Sequence, residues 1–308
     1  MGQLVDGIWQ PGWGAPTKSG TFDRPAAAFR EKTIAPVAGR YHLYVAYACP
    51  WAHRTLITRA LRGLEHAVSV TVVDAKMGAD GWAFRTEDPD PLGPSQFLRD
   101  VYLRAVPDLT GKVTVPVLWD RERNTIVNNE SREVMRMLDV DLAPLARDPV
   151  VETLAPAALL PEIERVLDAI YNPINNGVYR AGFARSQEAY EHAIAALFEA
   201  LAHWDAVLAD RPFVCGDVMT EADIALFTTC LRFDLVYYSH FKCNVKRLRD
   251  HANLWRFTRR MYAVPAIRAT CALDEIKTHY YWSQDNVNPT RIVPVGPSEY
   301  ALDLEQPL

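Results

Sequence analysis

The first clear pattern of apolar positions in the chain predicts a strand, a sharp turn and a helix. Residues 41–46 are aromatic and β-branched, which is typical of a strand. After the segment ACPW at 48–51 the apolar residues take a helical spacing, and Gly63 follows as a stop signal. The apolar face of this helix consists of Leu56, Ile57, Ala60, Leu61 and Leu64. An apolar run at 67–73 then predicts a second strand, parallel to the first.

The next segment interrupts this pattern and then returns to strands. Residues 76–111 contain glycine, proline and many charges, so we expect an insertion there. The runs 113–119 and 125–127 are separated by a polar turn, which predicts a hairpin. Pro116 cannot donate to a ladder, so it should mark a strand end, a bulge or a cis peptide bond. A short helix at 130–138 completes the order βαβ, insertion, ββα.

The second half of the chain has the spacing of helices throughout, with no internal repeat. Periodic alanine-rich stretches run at 157–172, 186–209, 221–238 and 252–262. The clearest helix start is Thr220-Glu221-Ala222-Asp223, where the threonine hydroxyl and the aspartate carboxylate can cap each other's amides. These patterns predict an α/β domain followed by an all-helical domain.

Changes in composition divide the chain into five parts. Residues 1–40 are rich in Gly, Pro and Trp without sustained periodicity and predict an extended arm. Residues 41–140 form the α/β domain, and residues 141–156 are rich in Pro, Asp and small residues, as in an interdomain linker. The helical domain covers 157–282, and residues 283–308 predict a coil tail punctuated by prolines.

Length, composition and charge exclude several classes of protein. With 308 residues, 49% hydrophobic and 23% charged, the chain can build one or two cores. The net charge of -5 gives no basic surplus for a nucleic-acid backbone. No stretch approaches the ~18 apolar residues of a membrane span, and the start lacks the basic and apolar regions of a secretion signal. We therefore expect a cytoplasmic protein that binds neither nucleic acid nor membrane.

The cysteines fit a reducing compartment. The chain has 5 of them, widely spaced and never in a CxxC, so neither a disulfide framework nor a zinc knuckle is indicated. His240, Cys243 and His251 could be combined into a metal set, but their spacing matches no common template. We expect no metal site.

Cys49 is the strongest candidate for chemistry. A cysteine followed by proline at the start of a helix is expected to lie on unpaired amides, which stabilise the thiolate and lower the pKa of the thiol. The alternative is a small buried cysteine. Ala52 stands where a dithiol oxidoreductase would carry its resolving cysteine, so a disulfide on Cys49 needs an external thiol, for which glutathione is the abundant candidate. His53 leaves open a Cys-His protease pair, without an identifiable third member.

A second group of residues could anchor a peptide-like ligand. If the Val115-Pro116 bond is cis, the Val115 backbone turns outward and can pair with an extended peptide. Glu130 and Ser131 open the next helix and can hold the charged ends of such a ligand. Ordinary helix capping explains Glu130 and Ser131 equally well.

The chain resembles the glutathionyl-hydroquinone reductases, the Xi class of glutathione transferases, across nearly all of residues 25–297. The resemblance rests on many motifs in order: GRYHLYVAYACPWAHRTLITRALRGLE, GWAF, VTVPVLWD, TIVNNES, NNGVYRAGFA, TEADIALFTT, HFKCN and KTHYY. CPWAHR with NNES is specific, whereas TEAD alone indicates only the wider superfamily. A visible departure is Tyr47-Ala48, where members often have Leu-Ala.

The resemblance implies a fold, a partner and roles for several residues. The fold is a thioredoxin-like N-terminal domain with an all-helical glutathione-transferase C-terminal domain, and the chain is expected to form a homodimer. Cys49 is implied as the catalytic cysteine and glutathione as the cosubstrate. The implied glutathione contacts are Trp82, Val115, Pro116, Glu130 and Ser131.

The resemblance also implies tyrosines that hold the hydroquinone: Tyr179 and one or both of Tyr280 and Tyr281. Without the family, each of these would more simply be a packed aromatic residue with a satisfied hydroxyl. The implied activity is glutathione-dependent reduction of glutathionyl-hydroquinones through a mixed disulfide on Cys49. The alternatives are an omega-like thiol transferase or dehydroascorbate reductase, and a non-enzymatic assembly module, which would need neither CPWA nor NNES.

Overall fold

The computed structural model describes residues 2–12, 20–22, 24–297 and 300–306. The chain divides into two compact units: a sheet unit of residues 1–15 and 25–152, and a helical unit of residues 16–24 and 153–308. Parts of the expected arm and tail, at 1, 13–19, 23, 298–299 and 307–308, lie outside the described residues.

The sheet unit contains short strands and a few helices. Its strands are β1 (Gln3–Val5), β2 (Ile8–Gln10), β3 (Tyr41–Val45), β4 (Val68–Val72), β5 (Gly111–Lys112), β6 (Val117–Asp120) and β7 (Thr125–Asn128). Its α-helices are α1 (Pro50–Leu61), α2 (Leu98–Ala105) and α3 (Ser131–Arg136), the last continued by a π-helical turn at Met137–Asp141 and a 3₁₀ turn at Ala143–Leu145. Strands β4, β3, β6 and β7, in that order, form the main sheet.

The predicted strand, helix and second strand are confirmed as β3, α1 and β4. All five residues of β3 are buried, which explains why its sequence is a continuous aromatic and apolar run. β3 pairs in parallel with β4, with Tyr41 opposite Val68. On α1, Leu56, Ile57 and Leu61 are buried, as the helical spacing predicts.

The predicted hairpin is confirmed as β6 and β7, which pair in antiparallel fashion. Strand β6 also pairs antiparallel with β3. It begins at Val117, directly after Pro116, and the Val115-Pro116 peptide is cis. Both the strand end and the cis bond proposed for Pro116 are therefore present.

The N-terminal arm is not wholly extended, because it opens with a hairpin. Strands β1 and β2 pair through the two-residue loop Asp6-Gly7, and both loop residues have positive φ, at 48° and 76°. This geometry is that of a type I′ turn, for which Asp-Gly is a favoured sequence. β1 then pairs with β5, so these two strands join the sheet unit. The strands are only three residues long, too short to produce visible periodicity.

The insertion at 76–111 contains a helix that the apolar pattern did not reveal. In α2, Leu98, Val101 and Tyr102 are buried. The Asp100 carboxylate accepts hydrogen bonds from the amides of Gln96 and Phe97, at 3.0 and 2.9 Å. The helix is thus capped locally and needs only one narrow apolar face, which the surrounding glycines and prolines mask.

The helical unit has the predicted all-helical character. Its α-helices are α4 (Leu160–Ile170), α5 (Gly177–Gly182), α6 (Gln187–Val207), α7 (Glu221–Arg232), α8 (Ala252–Ala263), α9 (Pro265–Arg268), α10 (Leu273–Ser283) and α11 (Tyr300–Glu305). Its shorter turns are 3₁₀ at Ala157–Leu159 and Leu248–Asp250 and π-helical at Tyr171–Asn175 and Phe233–Tyr237. The expected coil tail therefore includes the short helix α11. None of the described helices combines the length and apolar character needed to cross a bilayer.

Helix α7 is buried along its entire length. The predicted capping box is present, and both the amide and the hydroxyl of Thr220 donate to Asp223 Oδ2, at 2.8 and 2.9 Å. The other carboxylate oxygen of Asp223 accepts from the Val214 amide at 2.8 Å. A buried helix end is stable only if its polar groups are paired, so this box anchors the helix around which the unit packs.

Candidate active site

Cys49 is the N-cap residue of α1, with Pro50 in the first turn. Its backbone is extended (φ -78°, ψ 120°), and its carbonyl accepts a hydrogen bond from the His53 amide at 2.9 Å. The side chain is partly exposed, and Sγ lies 3.6 Å from the Val115 carbonyl oxygen. The thiol thus occupies the helix start that its sequence predicts, where the first-turn amides have no intrahelical acceptors. The imidazole of His53 is completely buried.

The other four cysteines have environments that suppress reactivity. Burial raises the pKa of Cys215 to about 11 and the pKa of Cys230 and Cys271 to about 12. Burial also raises the pKa of Cys243 far above its usual range. A thiol must ionise to act as a nucleophile, so these environments disfavour the nucleophilic form of all four cysteines.

The loop before β6 presents backbone groups beside Cys49. The Val115 carbonyl faces Sγ, as described above, while its side chain is buried. The Val115 amide makes no hydrogen bond to any residue in the described part of the chain. An extended ligand can pair with such an amide as an added strand would. Pro116 itself offers no amide.

Glu130 and Ser131 are at the start of α3. The Glu130 carboxylate accepts from the Arg132 amide at 3.3 Å, and the Ser131 hydroxyl lies 3.5 Å from the same oxygen. The Glu130 amide donates to Asn128 Oδ1 at 2.7 Å. Helix capping, the alternative raised from the sequence, is therefore present in this structure. The Ser131 amide still lies in the first turn, at the positive end of the helix dipole.

Trp82 lies in the loop before α2, and its side chain is buried in the core of the sheet unit. Its carbonyl accepts from the Leu98 amide at 2.9 Å. Trp9 holds the same loop from the N-terminal hairpin, because its indole donates to the Ala79 carbonyl at 3.0 Å. Gly81 has φ +84°, and a Cβ there would lie 3.0 Å from the Trp9 ring. Sequence reasoning missed Trp9, whose partner lies 70 residues away.

In the helical unit, three tyrosine hydroxyls form a chain. Tyr179 of α5 and Tyr280 of α10 have their hydroxyl oxygens 2.5 Å apart, and Tyr280 is also 2.9 Å from the hydroxyl of Tyr237. Tyr237 ends the π-helical turn after α7 and was not among the predicted residues. A signal for it exists, because Phe233, Tyr237 and Phe241 recur every four residues, as on one helix face.

Tyr281 lies outside this chain of hydroxyls. Its ring packs edge-on against His240, with the ring centroids 4.8 Å apart, and its hydroxyl bonds to Ser239. His240 Nε2 pairs with Gln284 Oε1 at 2.9 Å, and burial lowers the pKa of this histidine to about 4. Of the two adjacent tyrosines, the structure therefore brings only Tyr280 to Tyr179.

Arg24 and Phe22 of the arm segment add to the cluster. The Arg24 guanidinium lies 4.9 Å from the centroid of the Tyr179 ring, and its Nε donates to Asn176 Oδ1 at 3.0 Å. The Phe22 ring is 6.4 Å from that of Tyr179. At this distance the guanidinium cation interacts favourably with the electron-rich face of the Tyr179 ring, which is a cation–π contact. Nothing in the irregular sequence of the arm indicates these contacts.

A metal centre receives no support from the side-chain arrangement. Within the described ranges, no group of three or more His, Cys, Asp or Glu side chains could hold a metal ion. The alternative set of His240, Cys243 and His251 therefore does not come together as a ligand cluster in that part of the chain.

Comparisons with known proteins agree with the implied family. Residues 48–140 match the family model of the glutathione S-transferase N-terminal domain, and residues 187–260 match that of the C-terminal domain. Glutathionyl-hydroquinone reductase YqjG of Escherichia coli is 45% identical, over 100% of this chain and 98% of the relative. Glutathionyl-hydroquinone reductase PcpF of Sphingobium chlorophenolicum is also 45% identical, over 97% of each chain.

Solved structures give the same result. The Xi class glutathione transferase from Natrialba magadii has a TM-score of 0.92 and 49% identity, covering 100% of this chain and 96% of its own. The glutathione-bound structure of YqjG has a TM-score of 0.86 and 43% identity, covering 99% and 98%. The implied fold class is confirmed: a thioredoxin-like N-terminal domain and a helical glutathione-transferase C-terminal domain. The chain belongs to the glutathione S-transferase family, among its Xi-class glutathionyl-hydroquinone reductases.

Proposed function

We propose that this protein reduces glutathionyl-hydroquinones to hydroquinones at the expense of glutathione, with Cys49 as the nucleophile. The observation that carries the proposal is the partly exposed thiol at the start of α1, beside the Val115 amide, which makes no hydrogen bond to the residues that the structure describes. The position of Ala52, with no second thiol, requires that glutathione itself resolve the intermediate.

The reaction has two steps. The Cys49 thiolate attacks the sulfur of the glutathionyl-hydroquinone, an S–S bond forms, and the bond between sulfur and the ring carbon breaks. The electron pair and one proton go to that carbon, which gives the hydroquinone. A second glutathione thiolate then attacks the mixed disulfide, releasing oxidised glutathione and restoring the Cys49 thiolate. In total, the thioether sulfur of the substrate and the thiol sulfur of one free glutathione are oxidised to the disulfide, and the ring carbon is reduced.

The glutathione moiety would be held by the sheet unit. Val115 would pair with its cysteinyl backbone, and Pro116 would keep the loop open to it. Ser131 and its amide at the start of α3 would hold a carboxylate, as a helix start favours. Glu130 would hold the charged amino end, and Trp82 would line the loop.

The hydroquinone would be held by phenol hydroxyls. Tyr179 and Tyr280 would donate to its ring oxygens, stabilising charge as the carbon–sulfur bond breaks. Tyr281 would support this group through its contact with His240 rather than touch the substrate. An omega-like thiol transferase or an assembly module would have no use for such a set of buried hydroxyls, so the tyrosine chain favours the reductase over both.

Mass spectrometry and turnover test the proposal. We expect enzyme treated with 2-glutathionyl-1,4-hydroquinone, without free thiol, to gain one glutathione on Cys49 and to release one hydroquinone. The Cys49→Ser variant should do neither, while Cys243→Ser serves as a matched control in a buried position. Hydroquinone release by Cys49→Ser at the unsubstituted rate would refute the proposal.

The homodimer and the cytoplasmic location expected from the sequence belong to this proposal too. Light scattering on the purified protein should give twice the chain mass of 34.7 kDa. A mass of a single chain at micromolar concentration would contradict the dimer.

A further inference from the structure

Three tyrosines of the helical unit, Tyr179, Tyr237 and Tyr280, bring their hydroxyls together and are called here the tyrosine cluster. The Tyr280 oxygen lies 2.5 Å from that of Tyr179 and 2.9 Å from that of Tyr237, and Tyr237 also bonds to Tyr179. The three residues belong to α5, to the π-helical turn after α7 and to α10. Hydrogen bonds join only the tips of these side chains, so the positions of the rings depend on the residues that pack against them.

Phe241 is the residue against which all three rings of the cluster pack. Its ring centroid is 5.5 Å from that of Tyr179, with the planes at 62°, and 5.6 Å from that of Tyr280, with the planes at 78°. It stacks on Tyr237 with the centroids 5.5 Å apart and the planes at 13°. Aromatic pairs prefer such edge-to-face and offset-stacked arrangements. Phe241 is completely buried, so it can affect a substrate only through its neighbours.

A glycine makes room for the Phe241 ring. Gly182 lies on α5, one helical turn after Tyr179, and is buried. A Cβ at Gly182 would lie 2.2 Å from Cγ of Phe241 and 2.3 Å from its Cδ1, whereas carbon atoms in contact are about 3.5 to 4.0 Å apart. Glycine disfavours a helix, and Gly182 does not have a left-handed φ that would require it. The close approach of the Phe241 ring therefore explains the glycine at this position.

A second glycine of α5 provides a matched comparison. Gly177 is buried like Gly182. A Cβ at Gly177 would lie 3.4 Å from the Asn172 carbonyl oxygen and 3.8 Å from the Leu197 side chain, which are ordinary contacts. The same substitution by alanine is therefore accommodated at 177 and forces a displacement at 182.

We infer that Phe241, packed against Gly182, is a positioning residue: it holds the rings of the tyrosine cluster in the arrangement that places their hydroxyls for the hydroquinone. This role rests on the proposed function and extends it to two residues that touch no substrate. It concerns the step that breaks the carbon–sulfur bond, because that step needs hydrogen-bond donors at the ring oxygens. Glutathione is proposed to bind in the sheet unit, so its binding should be unaffected.

The size of the effect follows from the missing space. Gly182→Ala must displace the Phe241 ring by about 1 Å to restore normal carbon–carbon contact. Because a protein interior is close-packed, this displacement passes to the rings that Phe241 touches. A misplacement of about 1 Å in groups that act on the transition state can lower a rate about 100-fold.

The experiment compares Gly182→Ala, Gly177→Ala and Phe241→Leu with the unsubstituted protein. Two substrates are used: 2-glutathionyl-1,4-hydroquinone and the mixed disulfide of glutathione with 2-mercaptoethanol. We expect Gly182→Ala to lower kcat for the hydroquinone substrate about 10- to 100-fold with little change in KM. Phe241→Leu, which keeps an apolar side chain but removes the ring, should lower it about 3- to 10-fold. The disulfide reaction of both variants, and both reactions of Gly177→Ala, should stay within about twofold.

The outcomes separate positioning from mere packing. Equal losses on both substrates, a loss in Gly177→Ala as large as that in Gly182→Ala, or unchanged hydroquinone turnover in Gly182→Ala would each overturn the positioning role and leave the proposed function standing. If Gly182→Ala does not fold, Phe241→Leu decides by the same comparison of substrates, because it introduces no overlap. Failure of the unsubstituted protein to release hydroquinone, with the disulfide still reduced, would refute the proposed function and the role of Phe241 together.

Discussion

The adjacent tyrosines 280 and 281 offer a sharp test of how the hydroquinone is held. Tyr280 shares its hydroxyl with Tyr179 and Tyr237, at 2.5 and 2.9 Å, whereas Tyr281 bonds to Ser239 and packs on His240. Removing the Tyr280 hydroxyl therefore takes a hydrogen-bond partner from both Tyr179 and Tyr237. Removing that of Tyr281 disturbs neither.

The expected effects follow from which bonds tighten in the transition state. A hydroxyl that donates to developing charge contributes about 1 to 3 kcal/mol, so Tyr280→Phe should lower kcat/KM for 2-glutathionyl-1,4-hydroquinone about 5- to 150-fold. Tyr281→Phe should lower it less than about threefold. Neither variant should slow reduction of a glutathione mixed disulfide, because a thiolate is a good leaving group and needs no donor.

The assay is kcat/KM for both substrates in both variants, with thermal unfolding measured alongside. Tyr280→Phe removes a hydrogen-bond partner from the buried Tyr237 hydroxyl, which should lower the free energy of unfolding by about 1 to 3 kcal/mol. Rates are therefore compared well below the melting transition. A greater loss in Tyr281→Phe than in Tyr280→Phe, or equal losses on the two substrates, would refute the assignment.

Three further predictions concern the scaffold. In Glu133, burial raises the pKa of the carboxyl, but hydrogen bonds from Arg30, Lys32 and Asn128 lower the pKa to about 2, below the usual value of 4.5. Because the pKa is lower in the folded state, the ionised carboxylate stabilises the fold above pH 4.5, and this stability is lost as the pH falls towards 2. In urea unfolding, Glu133→Gln should therefore lower the free energy of unfolding by about 1 to 2 kcal/mol at pH 7 and have almost no effect near pH 2. A difference between variant and unsubstituted protein that stays constant across this pH range would contradict the prediction. Gly81→Ala should strain the backbone, which has φ +84° there, and press the new Cβ against the Trp9 ring. The strain should displace the neighbouring Trp82 and raise KM for glutathione several-fold. Gly39→Ala is the control, because Gly39 has a similar φ of +77° with open space around it, and it should leave KM unchanged. Asp223→Ala removes three hydrogen bonds from the buried start of α7 and should lower stability by about 2 to 4 kcal/mol in thermal unfolding, and a loss below about 1 kcal/mol would show that the capping box is dispensable.

Parts of the fold were predictable because their signals are local. The five buried residues of β3, the apolar face of α1 and the Thr220 capping box each lie within a dozen residues of sequence. Pro116 also carries its own information, because a proline cannot lie inside a central strand. In such segments local propensity and tertiary structure agree, which is why the pattern sufficed.

The missed elements depend on short or masked signals. Asp6-Gly7 is a favoured hairpin turn, but the flanking strands are too short to alternate visibly, so the turn was not used to predict β1 and β2. Helix α2 hides among prolines and glycines, and only three of its eight residues are buried. Tyr237 lies in a π-helical turn, where an extra residue shifts the helical spacing and obscures which side chains point inward.

The residues of the candidate site also divide into those with a local sequence signal and those without one, and this division has a chemical cause. A thiol at a helix start is activated by the backbone amides of that helix. The four consecutive residues 49–52 therefore suffice to predict the glutathione-dependent half of the proposed reaction. Hydrogen-bond donors to a leaving group must instead converge from separate elements. Tyr179 and Tyr280 are 101 residues apart, and Tyr237 and Tyr280 are 43 apart. Substitutions scattered over three helical segments can therefore change which group is expelled without touching the nucleophile. The cysteine motif alone predicts the disulfide step, and only the assembled hydroxyl chain argues for cleavage of a carbon–sulfur bond.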